Sequence, residues 1–421
     1  MALELTINGS QNPNARYLGW APSPCVLQIT GTTGATLGGR VRLSNRPNTG
    51  GGRVVFYTQP TAPAQTSLDF PVPPLGPITL RFWAGGRFGV PSKADRDTSI
   101  VISRASGVVV LTVPCMVRVR KNANALTNPE RNRFLAALAQ LNNAGAGPFQ
   151  IFRDMHVTSA QDEAHFDSGF LPWHRAYLLD LERELQARDP SVTIPYWKFD
   201  APAPRLFDTA FIGVSNSAGA VQFAAGNPLQ FWVTDGVVGV FRRPEFNTAT
   251  QQATDTQPAP GSGPVLSEVA TLALGQAAGS RFVDFTGMEG NPHGRAHVSF
   301  GGLISSIGTA ARDPLFFLLH CNIDRLWAKW QWMFDRFNTA LPASFFNGSR
   351  IGHRLPDSMW PWNGITGSPR PATAPGGTLA PSPAAVAPLP SPTVRELFDY
   401  QGVVGPSNRL AFDYDDVPFE S

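Results

Sequence analysis

Cysteine is scarce in this 421-residue chain. Cys25, Cys115 and Cys321 are too few and too scattered for a disulfide framework or a thiolate zinc site. Charge is sparse too: 34 Lys and Arg stand against 31 Asp and Glu, and charged residues make up 15% of the sequence. With a net of +3, no Lys/Arg block and no RNA-binding motif, nothing argues for a nucleic-acid partner. The longest apolar run, VVVLTVPCMV over 108–117, is far too short to span a bilayer. The opening MALELTINGS has no basic segment followed by an apolar one, so no signal peptide is read there. The expectation is a protein of the cytoplasm, or one exported with a partner, without membrane association. Histidine is missing from a whole region: residues 1–115 contain none.

What is present is a large apolar fraction, 42%, with 10 Trp and 28 Phe, enough for an aromatic core. The length predicts two domains. Over 1–115, short alternating or β-branched runs recur between Gly, Pro and Asn turns: ELTING, CVLQIT, RVRLS, RVVFYT, ITLRFW, TSIVIS and VVVLTV. They predict an all-β sandwich or barrel with a structural, shielding or partner-binding role. From 116 to 421 the pattern becomes helical. Thr127-Asn-Pro-Glu130 reads as a capping box ahead of Phe134, Leu138 and Leu141. A second helix is expected from about His174 to before Asp189-Pro190, and a third opens at Asp313-Pro314. Residues 200–280 read as long loops, and the Pro-rich stretch 366–392 as an extended surface loop.

Six of the seven histidines fall into two groups: His156, His165 and His174, then His293, His297 and His320. His293 and His297 are one helical turn apart, a spacing that can chelate an ion. His174 shares a face with Leu178 and Leu181, and His320 lies in an apolar stripe with Phe316, Ile323 and Trp327. A lone inward histidine is more often a hydrogen-bonded core residue; two triplets favour metal. Imidazole-only sets without thiolate suit copper, while three-histidine zinc, and with it a hydrolase, stays open as the alternative.

Two long segments carry a resemblance. His165-x4-Phe170-Leu-Pro-Trp-His174-Arg175-x2-Leu178-x3-Glu182 resembles the first copper signature of the tyrosinase family, and Asp313-Pro-Leu-Phe316-x3-His320-x3-Asp324-Arg325 resembles the second. Pro195-Tyr-Trp197 and the closing Phe412-Asp-Tyr414-Asp-Asp fit the same pattern. The resemblance spans about 117–417. It implies a four-helix-bundle dicopper domain, two copper ions held by the six histidines, and a phenolic substrate oxidised with dioxygen. A copper-delivery or shielding partner is a further expectation; the family's C-terminal shielding domain has no counterpart after the tyrosine motif, and the β region at the front is the candidate shield in its place.

Departures from the pattern matter as well. Many members have a second histidine where this chain has Cys321. Plant and fungal members tie the second ligand histidine to a cysteine; none is near here, so His165 is expected to be freer. Ile307 matches a position where relatives place a side chain over the first copper, and implies an open entrance. Glu289 fits a carboxylate that holds a water as base, with a cap or surface role as the alternative. Gly294 stands where an Asn would hold that water from the other side, and Asn291 is the one nearby substitute. Asp324 either orients the His320 ring or pairs with an arginine. His353 has no motif around it and reads as a surface residue or one standing behind the ligands. The implied activity is a polyphenol oxidase turning o-diphenols into o-quinones, with weak monophenol hydroxylation. A full tyrosinase, an o-aminophenol oxidase and a haemocyanin-like oxygen carrier remain the alternatives.

Overall fold

The computed structural model describes residues 2–31, 36–74, 77–157, 161–244, 246, 248, 250–252 and 264–419. The chain forms two compact units. One comprises Met1–Arg120, Ser382–Ala387 and Tyr400–Ser421; the other comprises Lys121–Pro381 and Pro388–Asp399.

In the first unit the strands are β1 (Ala2–Ile7), β2 (Tyr17–Leu18), β3 (Ser23–Thr30), β4 (Arg40–Pro47), β5 (Val54–Tyr57), β6 (Ser67–Pro71), β7 (Ile78–Gly86), β8 (Thr98–Arg104) and β9 (Val109–Val117). They pair into a four-stranded sheet, β1-β3-β7-β5, and a five-stranded sheet, β2-β9-β8-β4-β6. Alternation drives this. Cys25, Leu27 and Ile29 of β3 point inward while their neighbours face out. Leu27, Phe82 and Phe56 of one sheet join Leu43, Ile100 and Val113 of the other in a single apolar core. The seven runs of the sequence reading all became strands. β2 and β6 add two short strands to these seven.

The domain boundary differs from the expected split at residue 115. The first unit extends to Arg120 and takes back the C-terminal residues from Tyr400 onward, including the tyrosine motif. Buried polar pairing explains it. Asp413 accepts hydrogen bonds from the Trp20 backbone N–H (2.8 Å) and the Gln401 side-chain amide (2.6 Å). The Trp20 indole donates to the Tyr414 carbonyl at 2.7 Å, and Arg120 donates to the Tyr414 hydroxyl at 2.8 Å. A Cβ at Gly19 would sit 2.1 Å from the Asp413 carboxylate, so only glycine lets the tail lie this close.

The second unit contains α1 (Asn128–Asn142), α2 (Phe149–Met155), α3 (Gln161–Ala164), α4 (Phe170–Arg188), α5 (Glu268–Leu272), α6 (Phe282–Phe285), α7 (Arg295–Val298), α8 (Ile307–Ala310) and α9 (Leu315–Phe334). The Thr127–Glu130 capping box starts α1 as expected. α4 begins at Phe170, four residues ahead of the predicted start, because Pro172 is accommodated in its first turn. Nearly every residue from Phe170 to Arg183 is buried, as is every residue from Leu315 to Ala328, so α4 and α9 are central. Arg175 locks them together. Its Nε donates to Asp324 at 2.6 Å, its Nη1 to Gln331 at 3.0 Å, and its guanidinium lies 3.6 Å over the Trp327 ring. The Pro-rich stretch is not a simple surface loop. Leu379 and Ala384 are buried, and the Ala380 N–H donates to Asp180 at 2.8 Å. Among the described residues no helix is long and apolar enough to cross a membrane.

Candidate metal centre

Six histidines arrive from six different places in the second unit. His156 caps the end of α2, and His165 follows α3 directly. His174 is on α4, His293 in the turn Gly290–Gly294, His297 on α7 and His320 on α9. Because Arg175 and Asp324 join α4 to α9, the His174 and His320 rings stack, with centroids 4.3 Å apart and planes 9° from parallel. All are buried except His297, which is half-buried.

Backbone carbonyls orient four of these rings. The Nδ1 of His156 donates to the Ile307 carbonyl (3.1 Å), that of His174 to Phe170 (2.9 Å), that of His293 to Glu289 (2.9 Å) and that of His297 to Ile304 (2.7 Å). A carbonyl only accepts, so these Nδ1 atoms carry the proton and each Nε2 keeps its lone pair. Those lone pairs converge. The Nε2 atoms of His156 and His174 are 3.4 Å apart, and His320 Nε2 lies 3.3 Å from His293 Nε2 and 3.1 Å from His297 Nε2. Two nitrogens bound tetrahedrally to one ion at imidazole–metal distance are separated by about 3.3 Å. Burial also pulls all six imidazoles below their ordinary pKa, His156 to about 3 and His297 to about 4, which keeps them neutral as ligands must be. The donor set fits a metal.

The grouping differs in one respect from the expected triplets. Ring nitrogens of His293, His297 and His320 lie within 4.8 Å of one another, as anticipated. The other tight set is His156, His174 and His320, with His320 in place of His165. His165 stands slightly back, its ring 5.1 Å from both His156 and His174, and its Nδ1 has no hydrogen-bond partner among the described residues. The shared His320 makes the two clusters contiguous. Among the described residues no carboxylate or thiolate joins either cluster.

A cleft of about 780 Å3 opens over the imidazoles. Its wall includes Ile307, Glu289 and Gly294, all three singled out from the sequence, with Phe166, Val298 and Phe346, which were not. Phe166 follows His165 directly and could have been inferred. Phe346 comes from a distant segment that carries no signal. Burial pushes the Glu289 carboxyl up to about 7, partly opposed by the Phe166 N–H that donates to it at 2.7 Å. Ile307 is half-buried and lines the cleft as well as orienting His156 through its carbonyl.

The structure decides between the open readings of three residues. Asp324 does not orient His320, whose Nδ1 has no hydrogen-bond partner among the described residues; it pairs with Arg175 instead. Asn291 turns away from the cleft, accepting from the Leu266 N–H at 2.8 Å and donating to the Pro264 carbonyl at 3.1 Å. His353 is fully buried behind the His165 loop, not at the surface.

Comparison with known proteins agrees with this geometry. Residues 146–333 match the family model for the common central domain of tyrosinase. A tyrosinase of Streptomyces glaucescens is 32% identical over 264 residues, 58% of this chain and 92% of that protein. One from Streptomyces antibioticus is 31% identical over 266 residues, covering 59% and 94%. Among solved structures, an octopus hemocyanin functional unit is similar at a TM-score of 0.47 and 22% identity, covering 72% of this chain and 69% of that one. The chain belongs to the tyrosinase family of binuclear copper oxidoreductases.

Proposed function

We propose that His156, His165 and His174 hold one copper and His293, His297 and His320 the other, and that the protein oxidises o-diphenols to o-quinones while hydroxylating monophenols slowly. Bound copper supplies dioxygen binding and the two-electron redox change. The chain's own residues hold the ions, shape the cleft and govern the substrate proton.

The observation that carries the reading is the asymmetry around Glu289 and Gly294 on the cleft wall. One Glu289 oxygen is occupied by the Phe166 N–H, which leaves the other to hold a water. Gly294 offers that water nothing from the opposite side, and the Asn291 side chain is engaged with Pro264 and Leu266. A water held by one partner is a poorly placed base. A monophenol must lose its proton before it reacts; a diphenol, being more acidic, depends less on that base. The open cleft lined by Ile307 and Phe346 favours an enzyme over a closed oxygen carrier. The β-rich unit, which lacks histidine over 1–115, is read as a structural or partner-binding module.

Gly294→Asn tests this directly. A Cβ at Gly294 would meet only the Glu289 carbonyl at 3.4 Å, so the side chain fits. Oxygen uptake with a catechol and with a monophenol, measured side by side, should show the monophenol rate rising about tenfold, a fraction of what a well-placed base contributes. The catechol rate should change little. Fast, lag-free hydroxylation by the unmodified protein would sink the reading.

A further inference from the structure

We propose that His353 is a positioning residue that clamps the loop bearing His165 and thereby sets the affinity of one copper; the inference rests on His165 being a ligand. Four of the six imidazoles are oriented by their own Nδ1–H on a backbone carbonyl. His320 lacks such a bond but sits on a long helix that is buried throughout from Leu315 to Ala328. His165 has neither: its Nδ1 has no hydrogen-bond partner among the described residues, and it lies between α3 and α4. Its direction therefore depends on the backbone on either side.

His353 holds that backbone at both ends. Its Nδ1 accepts from the Gly169 N–H at 2.8 Å, and its Nε2 donates to the Asp162 carbonyl at 2.8 Å. An amide N–H only donates and a carbonyl only accepts, so the tautomer is set by its two partners. The His353 carbonyl also accepts from the Ser168 hydroxyl at 2.7 Å. The fit is close: a Cβ at Gly169 would lie 2.8 Å from the His353 Nδ1. The clamp thus spans residues 162–169, with His165 between its jaws, and both groups that its ring binds are backbone atoms. Partners standing behind metal ligands typically govern affinity by about 10–100-fold.

His353→Phe keeps the volume and removes both hydrogen bonds. Copper titration against a competing chelator should show one of the two ions bound about 10–100-fold more weakly and the other unchanged. Amide hydrogen exchange over residues 162–170 should quicken. His353→Gln, which keeps one donor and one acceptor, should recover most of the affinity. Two ions held by His353→Phe as tightly as by the unmodified protein would overturn the clamp, as would equal weakening of both. Should His353→Phe fail to fold, Ser168→Ala removes the hydroxyl's bonds to the His353 carbonyl and the Gly348 N–H while leaving the imidazole in place, and should weaken the same ion by a smaller factor; unaltered binding there also overturns it. The ligand reading is judged separately. If His165→Ala still binds two coppers, that reading fails; if it loses one and His353→Phe loses none, only the clamp fails.

Discussion

The two units bury different things. The β-rich unit packs Leu27, Phe56, Phe82 and Ile100 into an apolar core, with a few polar groups such as Asp413 fully hydrogen-bonded at one side. The helical unit puts six imidazoles at its centre and surrounds them with α4 and α9, whose buried Arg175–Asp324 pair has no counterpart in an ordinary apolar bundle. An apolar core tolerates small errors of direction, because dispersion and water exclusion are not directional. A ligand set does not. Each imidazole must aim one nitrogen at one point, so the helical unit commits backbone carbonyls and a buried ion pair to direction.

The sharpest way to break this contrast is to remove a ligand. His174→Ala or His320→Ala should lower copper from two ions per chain and bring oxygen uptake with catechol to background. Full activity in either variant would show that the central imidazoles are only core residues.

A smaller effect is expected at the pair that aligns the two helices. Arg175→Met withdraws a cation from beside buried Asp324 and should destabilise the helical unit by about 3–5 kcal/mol. Denaturant melts should record it. A loss under about 1 kcal/mol would mean that packing, not the ion pair, sets the angle of α4 on α9.

The smallest effect belongs to the β-rich unit and should leave copper content untouched. Burial pushes the Asp413 carboxyl up to about 6, above its ordinary 3.8. A raised folded pKa means that its stabilising contribution is complete below about pH 4 and is lost as pH rises through about 6. Relative to Asp413→Asn, the unmodified chain should therefore lose up to about 3 kcal/mol between pH 4 and pH 6. Melts at several pH values check this, and parallel profiles would refute it.

Much of both units was legible beforehand, for a local reason. The alternation in β3 and the Thr127–Glu130 box are written within a few residues, so each predicts its element without knowledge of its neighbours. The six candidate ligands were legible as well: long signatures surround His165, His174 and His320, a one-turn spacing joins His293 and His297, and His156 completes the first group. α4 starts four residues ahead of the expected His174 because Pro172 stands in its first turn, where its missing N–H breaks no intrahelical bond.

Residue spacing and signature alone determined the strand-rich first region, the helices α1, α4 and α9, and the six candidate histidines. Only the tertiary structure decided that Asp324 answers Arg175 rather than His320, that Asn291 faces away from the cleft, that the tail from Tyr400 returns to the β-rich unit, and that His353 backs the His165 loop. The physical reason is one of range. Periodicity and capping act between residues a few positions apart, whereas the partner of a buried polar group is whichever complementary atom the finished packing brings within about 3 Å.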